Sequence, residues 1–259
     1  MAFTNEVPWH GLGSKLEEGA PLETWRKAAG LDWEAEAAQL YYDLPEGMVE
    51  YPDRFTLIRK DTKAPLTNGV VGKGYKIVQP DQVLRFFGEL AQDYGAFKLE
   101  TAGSLFGGRK IWALARAASD MILFDNASDV VIRYLLMATS FDSSIPTIVQ
   151  QTAVRVVCNN TLTAAVGSKH GEAQIRLSHK TTFSADKIRQ KMMLDEQWAM
   201  FSTSLRDLSR KVVTEEQART FFFNVYFPPS VRQMETFSQK GADRRVAELM
   251  SIYRTAPGQ

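Results

Sequence analysis

The sequence predicts an α+β fold: an antiparallel β-sheet with a helix packed across it, in a β-β-β-α-like core, followed by a helical C-terminal third. Three observations carry this reading. Runs rich in Val, Ile, Leu, Phe and Tyr recur from about residue 32 to residue 141 with turn residues between them, the pattern of strands. Two of these runs are joined through Gly107-Gly108, and adjacent glycines between extended segments mark a hairpin, hence antiparallel pairing. Beyond Ser184 the apolar residues recur at helical spacing instead, and strands segregated from helices give α+β architecture.

The elements follow in order. Residues 1–19 read as an irregular arm, with glycines and a proline around Trp9 and His10. Residues 20–30 carry Pro21 and Glu23 at the start, Arg26 and Lys27 near the end and Gly30 just after, the polarity of a short helix. Strands are predicted at 32–43, 54–61 and 70–79. Pro80-Asp81 opens a helix that sets Val83, Phe86, Phe87, Leu90 and Ala91 on one face. A second β block covers 97–106 and 109–117, with a buried strand at 129–141 and one more strand at 172–179. Residues 150–165 read as a helix: Gln151, Arg155, Asn159 and Thr163 are four apart and share a face, opposite Ala153, Val154, Val157, Cys158, Leu162 and Ala165. Helices are predicted at 184–213, 215–226 and 230–253, with a break at Pro228-Pro229. The expected organisation is an arm over 1–19, a core domain over 20–183, and a helical region over 184–259 that packs on the core or on neighbouring subunits.

Composition narrows the function classes. A chain of 259 residues buries roughly three quarters of its unfolded surface, so a stable core is assured. No apolar run reaches the roughly 20 residues of a membrane span, and the N-terminus has no basic segment followed by an apolar one, so the expected location is the cytoplasm. The single cysteine, Cys158, excludes an internal disulfide framework and a multi-cysteine zinc site, and its apolar surroundings predict a buried, inert thiol. The net charge of +1 hides an asymmetry: residues 1–50 hold three bases against ten acids, net −7, which leaves +8 on the remainder. The acidic part is suited to docking on a basic surface of its own or a neighbouring subunit, and the basic part to an anionic partner.

Several segments carry a family resemblance. Residues 155–162, Arg-Val-Val-Cys-Asn-Asn-Thr-Leu, together with Pro8-Trp9-His10-Gly11-Leu12-Gly13, Val71-Gly72-Lys73-Gly74-Tyr75-Lys76-Ile77-Val78-Gln79, Glu100-Thr101-Ala102-Gly103-Ser104-Leu105 and Gly107-Gly108-Arg109-Lys110-Ile111-Trp112, resemble the phage/plasmid-like proteins, a bacterial and phage domain of unknown function. The order of elements also looks like the β-β-β-α core of the single-strand annealing recombinases, the superfamily of Red beta, RecT, Erf and the eukaryotic Rad fifty-two proteins. That second resemblance implies ring or filament homo-oligomers with nucleic acid in a groove between a hairpin and the helix across the sheet.

The residues themselves point the same way. Arg54, Arg59, Lys60 and Lys63 precede a glycine- and lysine-bearing segment with Lys73, Tyr75 and Lys76, and Arg109 and Lys110 follow the hairpin glycines. Glycines beside lysines let a backbone approach phosphates, while Tyr75 and Trp112 offer surfaces for bases. Arg155 has two uses open to it, a phosphate or a carboxylate partner. The expected function is therefore sequence-independent binding of single-stranded DNA and annealing in homologous recombination, without a nucleotide cofactor and without enzymatic activity. Its expected site is Lys73, Tyr75, Lys76, Arg109, Lys110, Gln151, Arg155 and Asn159. A phage accessory protein that binds a host or replication protein is the alternative, followed by a metal-dependent nuclease using Asp120, Asp125, Asp129 or Asp142; a nuclease or host protein is a further candidate partner. The chain has no Walker-type phosphate loop, Gly72-x-Gly74 lacks the third glycine of a dinucleotide fingerprint, and His10, His170 and His179 show no metal or triad spacing. Trp9-His10 is expected to anchor the arm in a core pocket.

Overall fold

Alternation along the central strands decides the architecture. In β7 (Lys110–Ala117) Ile111, Ala113 and Ala115 face one side of the sheet, Trp112 and Leu114 the other. In β10 (Tyr134–Ser140) Leu135 and Met137 likewise oppose Tyr134, Leu136 and Ala138. All are buried, so both faces are covered and the strands read as nearly continuous apolar runs. The computed structural model of the chain describes residues 1–67, 69–94, 97–117, 121–122, 130–167, 174–191, 199–200, 202–204, 206–207 and 210–255. Met1–Thr203 form one compact unit and Ser204–Gln259 another.

The main sheet of the first unit is an antiparallel meander. β6 (Phe97–Leu105), β7, β10, β11 (Thr147–Thr152) and β12 (Gln174–Leu177) pair in succession. Beyond β6 the N-terminal segment adds β1 (Ala2–Phe3), antiparallel, and β2 (Ser14–Lys15), parallel to β1, which makes seven strands. A two-residue ribbon, β8 (Met121–Ile122) with β9 (Val130–Val131), comes between β7 and β10. Helix α2 (Pro80–Tyr94) presses Leu84, Phe86, Phe87 and Leu90 into the core with Ile111, Ala113 and Leu135. On the other side α3 (Asn159–Gly167) contributes Leu162 and Ala165 beside Trp112 and Leu114. Burying a leucine such as Leu162 contributes about 1.5–3 kcal/mol. The Gln150 amide donates to Ala165 O at 2.6 Å and ties the end of α3 to the sheet.

Two glycines have positional reasons. Gly103 lies directly across from Trp112, where a Cβ would stand 2.7 Å from the indole and 2.7 Å from Met1. Gly108 has φ +107°, and a Cβ there would stand 2.9 Å from Trp33.

A smaller sheet joins β3 (Ala35–Leu44), β4 (Gly47–Arg59) and β5 (Val71–Gly72), with α1 (Leu22–Ala28) ahead of it. The Gln79 side chain pins its start to α2, accepting from Ala35 N and donating to Ala35 O, each at 2.9 Å. The β3–β4 ladder is interrupted: Gln39 pairs with Phe55 but Tyr41 with Glu50, so residues 51–54 bulge opposite Leu40. Pro52 sits in that bulge, where no ladder donor is needed. The Gln39 amide donates to Tyr51 O at 2.7 Å and bridges to the carbonyls of Leu40 and Arg54.

The structure departs from the sequence expectation at the helix predicted over 150–165. Residues 147–152 are β11, residues 153–158 are irregular, and the helix begins at Asn159. Thr147, Ile148, Val149 and Thr152 are β-branched and fit a strand paired on both sides, a preference that outweighs the four-residue polar spacing. Gln151, Arg155 and Asn159 therefore do not share a helical face. In the predicted strand 70–79 only Val71–Gly72 pair, and 129–141 splits into β9 and β10.

After β12, α4 (Ala185–Lys191) opens the predicted helix over 184–213, part of which lies outside the described residues, while 211–214 are not helical. In the second unit α5 (Glu215–Tyr226) starts at a capping box of Thr214 and Gln217. The predicted last helix is two pieces, α6 (Pro229–Arg232) and α7 (Gln239–Thr255), because Ser238 caps a new start, its hydroxyl taking Gly241 N–H at 3.3 Å. Phe222, Phe223, Phe227 and Tyr253 pack around Ala218, Val246 and Met250 as this unit's own core.

Candidate nucleic-acid interface

At one end of the meander four segments meet: the β6–β7 turn, the β10–β11 turn, the stretch after β5 and the stretch after β12. Backbone bonds fix them. Phe141 N–H donates to Arg109 O at 2.8 Å, and Lys76 N–H to His179 O at 2.5 Å. The Tyr75 hydroxyl donates to Ser140 O at 3.1 Å, and His179 Nε2 to Ile145 O at 3.0 Å. The Tyr75 and His179 rings stack at 4.7 Å with 13° between planes. Burial pushes the Tyr75 phenol well above its ordinary range, so it remains a donor at physiological pH.

This end is basic. Lys76 and Lys180 are exposed, Arg109 and Lys110 half-buried, and none of the four forms a salt bridge among the described residues. Asp142 is the acid nearby: burial raises its carboxyl, but the hydroxyl and N–H of Ser144, the Ser140 hydroxyl and the Lys110 charge together hold it below the usual value. At the tip of the β6–β7 turn Phe106 is 57% exposed with φ +54°, and the Lys110 ammonium lies 5.6 Å from the centre of its ring. An exposed aromatic ring under a cation, beside further unpaired bases, meets the two demands of a single strand, phosphate charge and a face for a base.

Of the eight residues predicted for the site, Tyr75, Lys76, Arg109 and Lys110 come together here. Lys73 precedes them on the surface, 81% exposed and 3.6 Å from Asp53. The other three do not join. Gln151 accepts from Arg133 Nε at 3.0 Å near the far end of β11. Asn159 starts α3 with its Oδ1 buried and unpartnered. Arg155 takes the carboxylate alternative: its Nε meets Glu100 Oε1 at 2.7 Å, and its Nη2 donates to Thr4 O and Glu6 O at 3.1 and 2.8 Å. The Glu100 side chain is only 4% exposed, and Tyr134 OH and Asn5 Nδ2 donate to it as well.

Other basic or aromatic candidates are likewise committed. Arg59 holds Asp61 with both arms at 3.0 and 2.7 Å and keeps that carboxyl down to about 2, while Lys60 pairs with Glu34 and Lys63 with Glu36. Trp112 is 1% exposed and donates to Thr101 Oγ1, so it cannot stack on bases. Sequence reasoning missed Phe106, His179 and Lys180. The available signal for Phe106 was an aromatic directly before Gly107-Gly108-Arg109-Lys110. Among the described residues no group of three or more His, Cys, Asp or Glu is placed to hold a metal; Asp120, Asp125, Asp129 and His170 lie outside them. No helix among them is long and apolar enough to cross a membrane.

A family model described as Domain of unknown function (DUF932) matches residues 67–259. The chain belongs to the DUF932 family. It matches no curated protein and no solved structure. The basic end of this DUF932 chain lies wholly within the matched residues, whereas α1, β3, β4 and the Trp9-His10 arm precede them.

That arm reaches the stretch just before α3. His10 Nε2 donates to Val157 O at 3.1 Å while its Nδ1 accepts from Leu12 N–H at 3.0 Å. Trp9, expected in a core pocket, is instead 78% exposed, so the histidine does the anchoring. Cys158 is half-buried at the start of α3, its carbonyl accepting Leu162 N–H at 2.9 Å. Burial raises the Cys158 thiol, but bonds from the Thr161 hydroxyl, the Thr161 and Asn160 N–H groups and the Trp9 side chain outweigh it and leave the thiol below its ordinary value. The alkylation rate of Cys158 by iodoacetamide should therefore rise with pH through a midpoint below the roughly 8.5 of a free cysteine, and Thr161→Val should move that midpoint upward. A midpoint at or above the free value would contradict this.

Proposed function

We propose that this DUF932 chain is a phage-type protein that binds single-stranded DNA without sequence readout and promotes annealing in homologous recombination. It acts by binding alone, needs no nucleotide cofactor, and works as a ring or filament of identical subunits in the cytoplasm of a bacterial host. The observation that carries the reading is the basic end of the meander, where Lys110 lies over the exposed Phe106 and the segments that meet there also carry Arg109, Lys76 and Lys180. The succession β7, β10, β11, α3, with the helix across the sheet, supports it by its likeness to the β-β-β-α core of annealing recombinases.

Fluorescence anisotropy with a labelled oligonucleotide tests it. Four neutralised phosphates should give a slope of about −3 in log K against log salt. The triple variant Lys76→Ala, Arg109→Ala, Lys110→Ala should bind at least about tenfold more weakly at low salt, in line with the loss of phosphate contacts. Absence of binding by the unaltered protein at low salt, or no change in the triple variant, would sink the proposal. A second reading, docking of a host or replication protein, draws on α5, where Phe221 and Val225 are 61% and 57% exposed. Pull-down from nuclease-treated host lysate, with Phe221→Ser as the losing variant, distinguishes the two.

A further inference from the structure

The β3–β4 hairpin is built in a way that its own unit does not explain. Every residue from 41 through 54 is exposed, including Tyr41, Tyr42, Leu44, Met48 and Tyr51. Beyond the bulge at 51–54 the two strands are held by the short ladder from Tyr41–Glu50 to Leu44–Gly47 and by the edge-on contact of the Tyr42 and Tyr51 rings. The outer edge of β3 and that of β4 before Arg54 pair with no other strand among the described residues. A two-stranded ribbon with open edges and bare aromatics is marginal in water and gains from a cover.

Charge selects the cover. From Leu40 through Asp53 the hairpin carries Asp43, Glu46, Glu50 and Asp53 and no base. Pairing one hairpin with the same hairpin of another copy would set like charges against each other, which disfavours a symmetric edge-to-edge dimer. The complementary surface present in the same chain is the basic end of the meander, where Lys76, Arg109 and Lys180 have no salt bridge among the described residues and Phe106 is 57% exposed. An acidic strand pair edged with tyrosines offers that end what a nucleic-acid strand offers, spaced negative charge and flat rings.

We infer that the acidic tip of the β3–β4 hairpin of one copy docks on the basic end of the meander of a second copy. The contact is heterologous, because the two patches differ, so it generates an open chain or a ring of subunits rather than a closed pair. The inference rests on the basic end described above but not on that end taking DNA. Where DNA does bind there, strand and hairpin compete for the same end, so this contact belongs to the DNA-free assembly and an added oligonucleotide should release it; subunits that hold DNA in a ring or filament do so through other contacts.

Sedimentation velocity of the full chain at low and high salt, without DNA, tests this with two charge reversals made at exposed or half-buried positions. The tip variant carries Asp43→Lys, Glu46→Lys and Glu50→Lys; the end variant carries Lys76→Glu, Arg109→Glu and Lys110→Glu. The unaltered chain should form salt-sensitive assemblies. Each variant alone should associate about a hundredfold more weakly, because like charges then face each other. An equimolar mixture of the two should assemble again, since tip and end are opposite in both directions; this recovery also shows that both variants are folded. A monomer at low salt, unchanged assembly in either variant, or a mixture that stays dissociated would overturn the inference. Loss of DNA binding with assembly intact would overturn only the proposed function.

Discussion

Arg155→Ala is expected to cost the first unit about 3–5 kcal/mol, read as a fall in the urea midpoint, while oligonucleotide affinity stays unchanged. The reason is what the substitution leaves behind. Glu100 is 4% exposed at its side chain, and its Oε1 meets Arg155 Nε at 2.7 Å. Without the guanidinium the carboxylate is left, among the described residues, with the hydroxyl of Tyr134 and the Asn5 amide, both at 3.3 Å, to offset a buried charge. The same arginine donates to Thr4 O and Glu6 O, so its loss also loosens the chain that follows β1. Pairing the change with Glu100→Gln should recover part of the stability, because the orphaned charge goes with it. A loss below about 1 kcal/mol, the scale of an exposed pair, would show that the contact is not a buried one in solution.

Arg155 also shows where the sequence was readable and where it was not. The antiparallel sheet, the Gly107-Gly108 hairpin and α2 were legible because each has a local cause: alternation, paired glycines and an apolar stripe opened by Pro80. The helix over 150–165 was misread because Gln151, Arg155 and Asn159 have helical spacing, and only the ladder partners of β11, the segments 134–138 and 174–177, reveal a strand. Those partners are a tertiary matter that spacing does not encode. Arginine is equally suited to a phosphate and to a carboxylate, and the partner that decides, Glu100, lies 55 residues away. Tyr75, Lys76, Arg109 and Lys110 were singled out because glycines beside bases are a local signal, and the fold brings them to one end of the sheet. His179 and Lys180 follow β12, and nothing near them in sequence marks that they return to Tyr75. Arg59, Lys60 and Lys63 were overcounted as binding groups, since their acids come from the same turn or the neighbouring strand.

The two aromatic residues that flank the Gly107-Gly108 turn should separate stability from binding. Trp112→Ala is expected to cost about 3–5 kcal/mol, since it empties a fully buried indole site. Gly103 opposite it has no side chain to fill the gap, and the cluster that holds the α3 residues Leu162 and Ala165 loses its largest side chain while Leu114 and Leu136 remain. The Thr101 hydroxyl would also lose its indole donor, though it keeps its own bond to Val156 O at 2.6 Å. Measured well below its lowered transition, this variant should bind an oligonucleotide as the unaltered chain does, because the indole is 1% exposed. Phe106→Ala should do the reverse. The ring is 57% exposed, so the urea midpoint should hardly move, while loss of a base-stacking face of this kind is worth about 1–3 kcal/mol, roughly 5- to 150-fold in affinity. Phe106→Tyr keeps the ring under the Lys110 ammonium and should retain most of the binding. Equal affinity in Phe106→Ala and the unaltered protein would remove stacking at the turn from the mechanism, leaving Lys76, Arg109 and Lys110 to act through phosphate charge alone.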